Sequence, residues 1–199
     1  MGGGALNEQC SHYFDALRVW LGEITSVYAH VAVHEPLRID PETGEQLTAD
    51  ADDFVSATLH FESGAAANVA MVWSSRIPAF GDLRVTGPQG TIGHRSAVGL
   101  FEAGPVTFNS PLDTPPDPLI RPSSEIDAGS DLPTPAEIEH LDPPEIIAAS
   151  RRLLREFERG IREGTSPAPN FVDARRSQVL LDACRESSRT GRVVELPST

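Results

Sequence analysis

Apolar residues between positions 7 and 21 recur at helical spacing. Cys10, Phe14, Leu17 and Leu21 stand at i, i+4, i+7 and i+11, which puts them on one face of a helix. Asn7 is suited to cap its start and Gly22 to stop it. The period then changes to two. Val27, Ala29, Val31 and Val33 alternate with Tyr28, His30, Ala32 and His34, the pattern of a strand with one face inward. A polar connection over 38–51 carries a turn signal at Pro41-Glu42-Thr43-Gly44. Phe54–Phe61 and Ala65–Ser74 then read as two strands joined by Glu62-Ser63-Gly64, a hairpin. Leu83–Thr86 and Thr91–Arg95 flank Gly87-Pro88-Gln89-Gly90 and predict a second one, with further short strands over 97–102 and 105–109.

From Ser110 to Pro144 the chain is rich in Pro, Asp and Ser and has no periodicity. A long surface loop is expected there, with 110–142 as its Pro-rich body. A helix follows, with Asp142 as N-cap, Pro143 at the first helical position and Glu145 at the third. It runs to about Glu163, with Ile146, Ser150, Leu153, Phe157 and Ile161 on one face, and Gly164 ends it. Asn170 caps a last helix over about 171–190, stopped by Gly191, and Val193, Val194 and Leu196 make a final short strand. These elements predict an α+β domain over 1–199: a mainly antiparallel open sheet with helices packed on one face.

Composition narrows the chemistry. The 199 residues include 16 basic side chains, all arginine, against 29 acidic ones, a net charge of −13. A phosphate backbone needs clustered positive charge, so no nucleic-acid partner is expected. No apolar run approaches the ~20 residues of a membrane span, and the first residues lack the pattern of a signal peptide. A cytoplasmic protein with no membrane partner is expected. Without lysine the chain cannot supply a phosphate-loop or Schiff-base ammonium. Cys10 and Cys184 match no metal spacing and are expected as buried free thiols. His30 and His34, on a strand face with Tyr28, would stand about 13 Å apart at ~3.3 Å per residue. That is too far to share a metal ion, and His60, His94 and His140 have no evident partners. No metal site is expected.

Glu8, His12 and Asp15 lie at i, i+4 and i+7, together on one face of the first helix. An imidazole one turn from a carboxylate is suited to move a proton from a hydroxyl near neutral pH. The same three residues also fit a plain solvated helix face, where the dipole favours an acid such as Glu8 near the start. No Gly-x-Gly-x-x-Gly follows a predicted strand, and Gly87-Pro88-Gln89-Gly90 has the wrong spacing. A self-contained dinucleotide site is therefore not expected.

The run from Gly2-Gly3-Gly4-Ala5-Leu6 through Glu8, Cys10, His12 and Asp15 to Leu21-Gly22 is similar to G-G-G-x-L-x-D-x-G-x-H-x-x-D-x-x-x-x-L-x-G. That segment opens the substrate half of the Gfo/Idh/MocA family of NAD(P)-dependent oxidoreductases. Phe61-Glu62-Ser63-Gly64-Ala65 resembles the family's hairpin, and Val85-Thr86-Gly87-Pro88-Gln89-Gly90-Thr91 its V-x-G-x-x-G-x turn. Phe157 to Leu196 resembles its two closing helices and last strand, including Asn170-Phe171-Val172-Asp173-Ala174 and Ser187-Ser188-Arg189-Thr190-Gly191. The resemblance covers nearly the whole chain outside 110–142.

What the resemblance implies is specific. The chain would be the substrate and dimerisation domain, N-terminally incomplete, without the Rossmann domain. His12 matches the family's catalytic histidine, and Glu8 stands where an aspartate is usual, Cys10 where a glycine is usual. Asp15 matches a family position, and Arg76, after the Ala65–Ser74 strand, is a candidate substrate contact. The implied reaction is hydride transfer between a nicotinamide (NAD or NADP) and a carbon of a sugar, cyclitol or related polyhydroxy substrate. A lysine of the nucleotide-binding half would polarise the same oxygen. The implied partners are a second copy through the sheet face and a separate Rossmann domain. A non-catalytic binding or assembly module derived from this domain is the alternative, and a free-standing hydrolase or isomerase using Glu8 and His12 a third reading.

Overall fold

The first helix forms where its apolar stripe predicts, but it starts earlier. The computed structural model describes residues 3–40, 42–74, 81–96, 106–109, 117–119 and 144–197. Helical structure begins at Ala5 and runs as a π-turn over Leu6–Cys10 into α1 (Ser11–Leu21). Cys10, Phe14 and Leu17 are buried and Gly22, at φ 98°, ends the helix. Asn7 does not cap it. Asn7 lies inside the π-turn, where its Oδ1 accepts from Arg185 Nη2 at 2.6 Å. The cap comes from far along the chain. Ala5 N–H donates to the Asp52 carbonyl at 2.8 Å and Leu6 N–H to Asp52 Oδ2 at 2.7 Å. These are N–H groups that a helix start leaves without intrahelical partners.

β1 (Ile24–Ala32) buries Val27 and Ala29 and exposes Tyr28 and His30, as the alternation requires. The expected polar connection over 38–51 instead contains a small antiparallel hairpin of β2 (Leu37–Ile39) and β3 (Gln46–Thr48). Its turn follows the sequence signal: Asp40 Oδ1 accepts from the N–H groups of Glu42 and Thr43, at 2.8 and 3.0 Å. Three exposed residues per strand are too few for an alternation to show. β4 (Phe54–Phe61) and β5 (Ala66–Val72) form the expected hairpin. The last helix, α3 (Phe171–Thr190), is followed by β10 (Val194–Glu195). The sheet order is β10-β1-β4-β5, antiparallel throughout.

One face of this sheet carries the core. Leu6, Cys10 and Phe14 meet Val27, Val55, Leu59 and Phe61 of the sheet and Leu180, Leu181 and Cys184 of α3, all buried. Both cysteines are free and buried, as expected. Asn170 caps α3 through a capping box: its side chain accepts from Val172 N–H at 2.8 Å, and Asp173 Oδ2 accepts from Asn170 N–H at 3.0 Å. Serines of α3 complete the edge of β1 beyond the two residues that β10 covers. Ser187 Oγ, fully buried, accepts from Ala29 N–H at 2.9 Å and donates to the Arg192 carbonyl at 2.6 Å. Ser188 Oγ accepts from Val31 N–H at 2.9 Å. Ser187→Ala should therefore cost about 1–3 kcal/mol, because it strands a buried N–H. Urea unfolding of the two proteins checks this, and an unchanged midpoint would refute it.

The chain divides into two compact units: Met1–Ser75 with Ala168–Thr199, described above, and Arg76–Pro167. The second unit holds β6 (Gly81–Gly87) and β7 (Gly90–Ser96), the expected second hairpin, then β8 (Val106–Asn109) and β9 (Asp117–Leu119), in sheet order β6-β7-β8-β9. β9 falls inside the expected surface loop. It is a three-residue strand containing Pro118 at the end of the sheet order, where proline is tolerated and no periodicity can show. The rest of 110–142, the expected strand over 97–102 and the Asp142–Pro143 cap lie outside the described residues. α2 (Pro144–Glu163) ends at Gly164, at φ 65°. No helix among the described residues is long and apolar enough to cross a membrane.

Candidate active site

The outward face of α1 carries the predicted pair. Glu8 in the π-turn and His12 in the first turn of α1 are both exposed, and Val19 and Trp20 continue the exposed side of the helix, Val19 at 77 %. Neither the Glu8 carboxylate nor the His12 imidazole has a hydrogen-bond partner among the described residues. A π-turn is underwound relative to an α-helix, so residues four apart across it lie closer to one line along the axis. Glu8 and His12 therefore project from one side of the helix, opposite Cys10 and Phe14, with the Glu8 carboxylate lying back against Gly3.

Asp15 is placed differently. Its Oδ1 accepts from Arg18 Nη1 at 3.2 Å, which ties it to an ion network that sequence spacing did not reveal. Arg18, buried despite its charge, makes a two-pronged contact with Glu23: Nε to Oε2 and Nη2 to Oε1, each 3.0 Å. Arg176 also donates to Glu23 Oε1 at 3.2 Å, and Asp173 lies within 3.8 Å of Arg18 and 3.9 Å of Arg176. The network joins the end of α1, the start of β1 and the start of α3. The Arg18 hydrogen bond, above all, holds the Glu23 carboxyl below its usual range, against the upward pull of burial. Arg76 lies outside the described residues.

A second acidic pair was missed altogether. Asp52 caps the π-turn as described, and its neighbour Asp53 is fully buried. Asp53 accepts from the N–H groups of His34 and Glu35, at 2.7 and 3.0 Å, and from Arg38 Nη2 at 3.3 Å. Burial pushes its carboxyl up, but these donors outweigh that and hold it below its usual range. The only local signal is two adjacent acids just before an apolar strand. The histidines also need correction. β1 ends at Ala32, so His34 leaves the extended line; its ring stacks on Phe54 at 4.5 Å while His30 lies 5.9 Å from the same ring. The two are nearer than an extended strand would place them. His60 has a partner too, with Nδ1 3.3 Å from Ser26 Oγ. No group of three His, Cys, Asp or Glu among the described residues could hold a metal ion.

The glycine-rich start explains itself by close approach. A Cβ on Gly3 would overlap Glu8 Oε1; one on Gly4 would overlap the Asp52 carboxylate and stand 2.7 Å from its carbonyl oxygen. Space that a dinucleotide turn leaves for a pyrophosphate is taken here by two carboxylates, and the N–H groups of Ala5 and Leu6 are already engaged. Phosphate binding needs free N–H donors and positive potential. The nucleotide phosphates do not fit this turn. A cavity of about 360 Å³ walled by Arg18, Glu23, Ile24, Val179, Leu180 and Leu196 lies elsewhere. It is roughly 9 Å along α1 from His12 at ~1.5 Å per residue.

Residues 1–93 match the family model described as the GFO/IDH/MocA C-terminal domain. The resemblance read from the glycine-rich segment is thus shown over that stretch, which contains Glu8, His12 and Asp15. The whole chain follows the fold of solved structures. It is 21 % identical to levoglucosan dehydrogenase in complex with NADH and L-sorbose, covering 100 % of this chain and 51 % of that one with a TM-score of 0.74. It is 24 % identical to aldose-aldose oxidoreductase from Caulobacter crescentus complexed with glycerol, over 98 % and 48 %, at 0.67. It is 20 % identical to an oxidoreductase domain protein from Kribbella flavida, over 99 % and 51 %, at 0.72. The chain spans about half the length of the solved structures it matches. No protein of curated function matches the sequence.

Proposed function

We propose that this chain is the substrate-binding and proton-handling half of a Gfo/Idh/MocA-type oxidoreductase acting on a sugar, cyclitol or related hydroxy compound. The observation that carries this is His12, outward and unpartnered among the described residues, presented with Glu8 on the segment that matches the family. His12 takes the proton of a substrate hydroxyl as the carbon that bears it gives up hydride, and Glu8 hydrogen-bonds a neighbouring hydroxyl. Asp15, with its Oδ1 on Arg18, and Arg76 are proposed as further substrate contacts. The hydride acceptor, NAD or NADP, is proposed to sit on a separate nucleotide-binding domain, because the glycine-rich turn here has no room for its phosphates. The fold's likeness to structures solved with NADH, L-sorbose and levoglucosan supports the substrate class.

Self-association is proposed through the face of β1, β4 and β5 opposite the core. Tyr28, His30, Ser56, His60, Asn68 and Ala70 are exposed there. Two experiments test this reading, and the second separates it from a non-catalytic binding module. Titration calorimetry of the isolated chain with NAD(H) should give no saturable binding; micromolar affinity would overturn the two-part account. Fused behind the nucleotide-binding domain of a levoglucosan dehydrogenase, the chain should reduce the cofactor with a sugar or cyclitol from a small panel. A well-folded chimera that binds cofactor but turns over none of them would favour the binding module.

A further inference from the structure

Asp52 stands between the sheet and the candidate site. Its neighbour Asp53 is committed to the turn after β1 through His34, Glu35 and Arg38. The chain then enters β4, whose Val55 and Leu59 are fully buried in the core. The backbone at Asp52 is therefore held by the most buried part of the first unit. From there it reaches the start of the site helix twice: its carbonyl takes Ala5 N–H and its Oδ2 takes Leu6 N–H. Gly4 is buried against both groups, and no side chain would fit between them.

We propose that Asp52 is the positioning residue of Glu8, holding the π-turn that sets where the Glu8 side chain stands relative to His12. This deepens the proposed function and rests on it only for calling the pair a site. The physical reason is rotational. Packing of Phe14 and Leu17 fixes the rotation of α1 and with it His12, whereas Glu8 lies in the π-turn, and loss of that underwound turn would rotate Glu8 about the axis relative to His12. Asn7, the residue best suited to start it locally, is not the cap; if it were, the first turn would begin two residues later. The distant acceptor overrides that local preference. It also holds the start of the π-turn, a rare geometry found mostly as single turns inside α-helices. Cys10 ends that turn, and its thiol is pushed up to about 12, first by burial and then by the nearby Asp52 carboxylate. Cys184 in α3 is equally buried and close enough to Cys10 to feel its charge, so the two alkylation rates are compared as a ratio.

The test compares Asp52→Ala, which removes the side-chain acceptor, with Asp52→Asn, which keeps an acceptor oxygen. Alkylation of the two thiols is followed by peptide mass spectrometry, with hydrogen exchange at Leu6 and the His12 ring resonances by NMR. The expected result for Asp52→Ala is Cys10 alkylated at least tenfold faster and Cys184 by a much smaller factor, loss of protection at Leu6, and displaced His12 resonances. Asp52→Asn should restore most of each. Both thiols accelerating by the same factor would mean general destabilisation and would overturn the proposal, as would an unmoved His12 signal or failure of Asp52→Asn to rescue. None of these readouts needs turnover, so an inactive chimera would sink the oxidoreductase reading and leave this one standing. In an active chimera, Asp52→Ala should lower kcat and leave the KM for cofactor unchanged.

Discussion

His12→Ala should lower turnover of the reconstituted enzyme by about 100- to 10,000-fold, the range lost when a positioned proton acceptor is removed. The rest of the protein should scarcely register the change. His12 is exposed and bonds to no described residue, so its removal opens no cavity and strands no polar group. Cofactor affinity of the chimera should also hold, since the nucleotide is proposed to bind elsewhere. Steady-state kinetics on the active substrate, beside urea unfolding of the mutant, make the comparison. An unchanged rate in a normally folded mutant would remove His12 from the mechanism. A loss of stability that matched the loss of rate would do the same, since it would show a structural histidine.

Arg18→Ala should produce the largest loss of stability, about 2–4 kcal/mol. Breaking a buried ion pair from one side typically costs more, about 3–5 kcal/mol. Here the carboxylates left behind are partly open to water, with Glu23 29 % and Asp173 22 % exposed, so solvent compensates some of it. The effect is large because Arg18 is shared by three carboxylates on α1, the start of β1 and the start of α3. It should also depend on pH. Glu23 is held below its ordinary value, mainly by the Arg18 hydrogen bond. Its contribution is present above the unfolded value of about 4.3 and is lost as pH falls through the lower folded value. Arg18 stays charged across that window. Stability of the wild type should therefore fall on acidification below about pH 4.3 more steeply than that of Arg18→Ala. Parallel slopes would refute the assignment. Arg18→Met combined with Glu23→Gln should recover part of the loss, because the second change removes the stranded charge.

How much of this could be read beforehand differs from element to element. The stripe of Cys10, Phe14 and Leu17 lies inward as its spacing requires, and His12 lies outward by the same arithmetic. Asn170 caps α3 as its position suggests. Each of these depends on residues within one or two turns of each other, so the sequence states them directly. The hairpin of β2 and β3 escaped because its strands are too short and too exposed to leave a pattern. Asp15 reads from spacing as a companion of His12. Three-dimensional contact shows it engaged with Arg18, whose partners Glu23 and Asp173 lie on other elements.

The sequence alone determined which residues face inward, which carry the candidate chemistry, and the resemblance that relates residues 2–22 to a family. Local periodicity and composition suffice for that, because side-chain direction along a helix or strand follows from backbone geometry. Tertiary structure alone decided where the first helix begins, why Gly4 is a glycine, and which carboxylates of other elements hold Arg18. Those outcomes turn on Asp52 and on Arg18 with Glu23 and Asp173, partners on separate elements, Asp52's lying 46 residues from it along the chain. Contacts across such separations are made by the packing of the sheet and helices, and no window of neighbouring residues contains them.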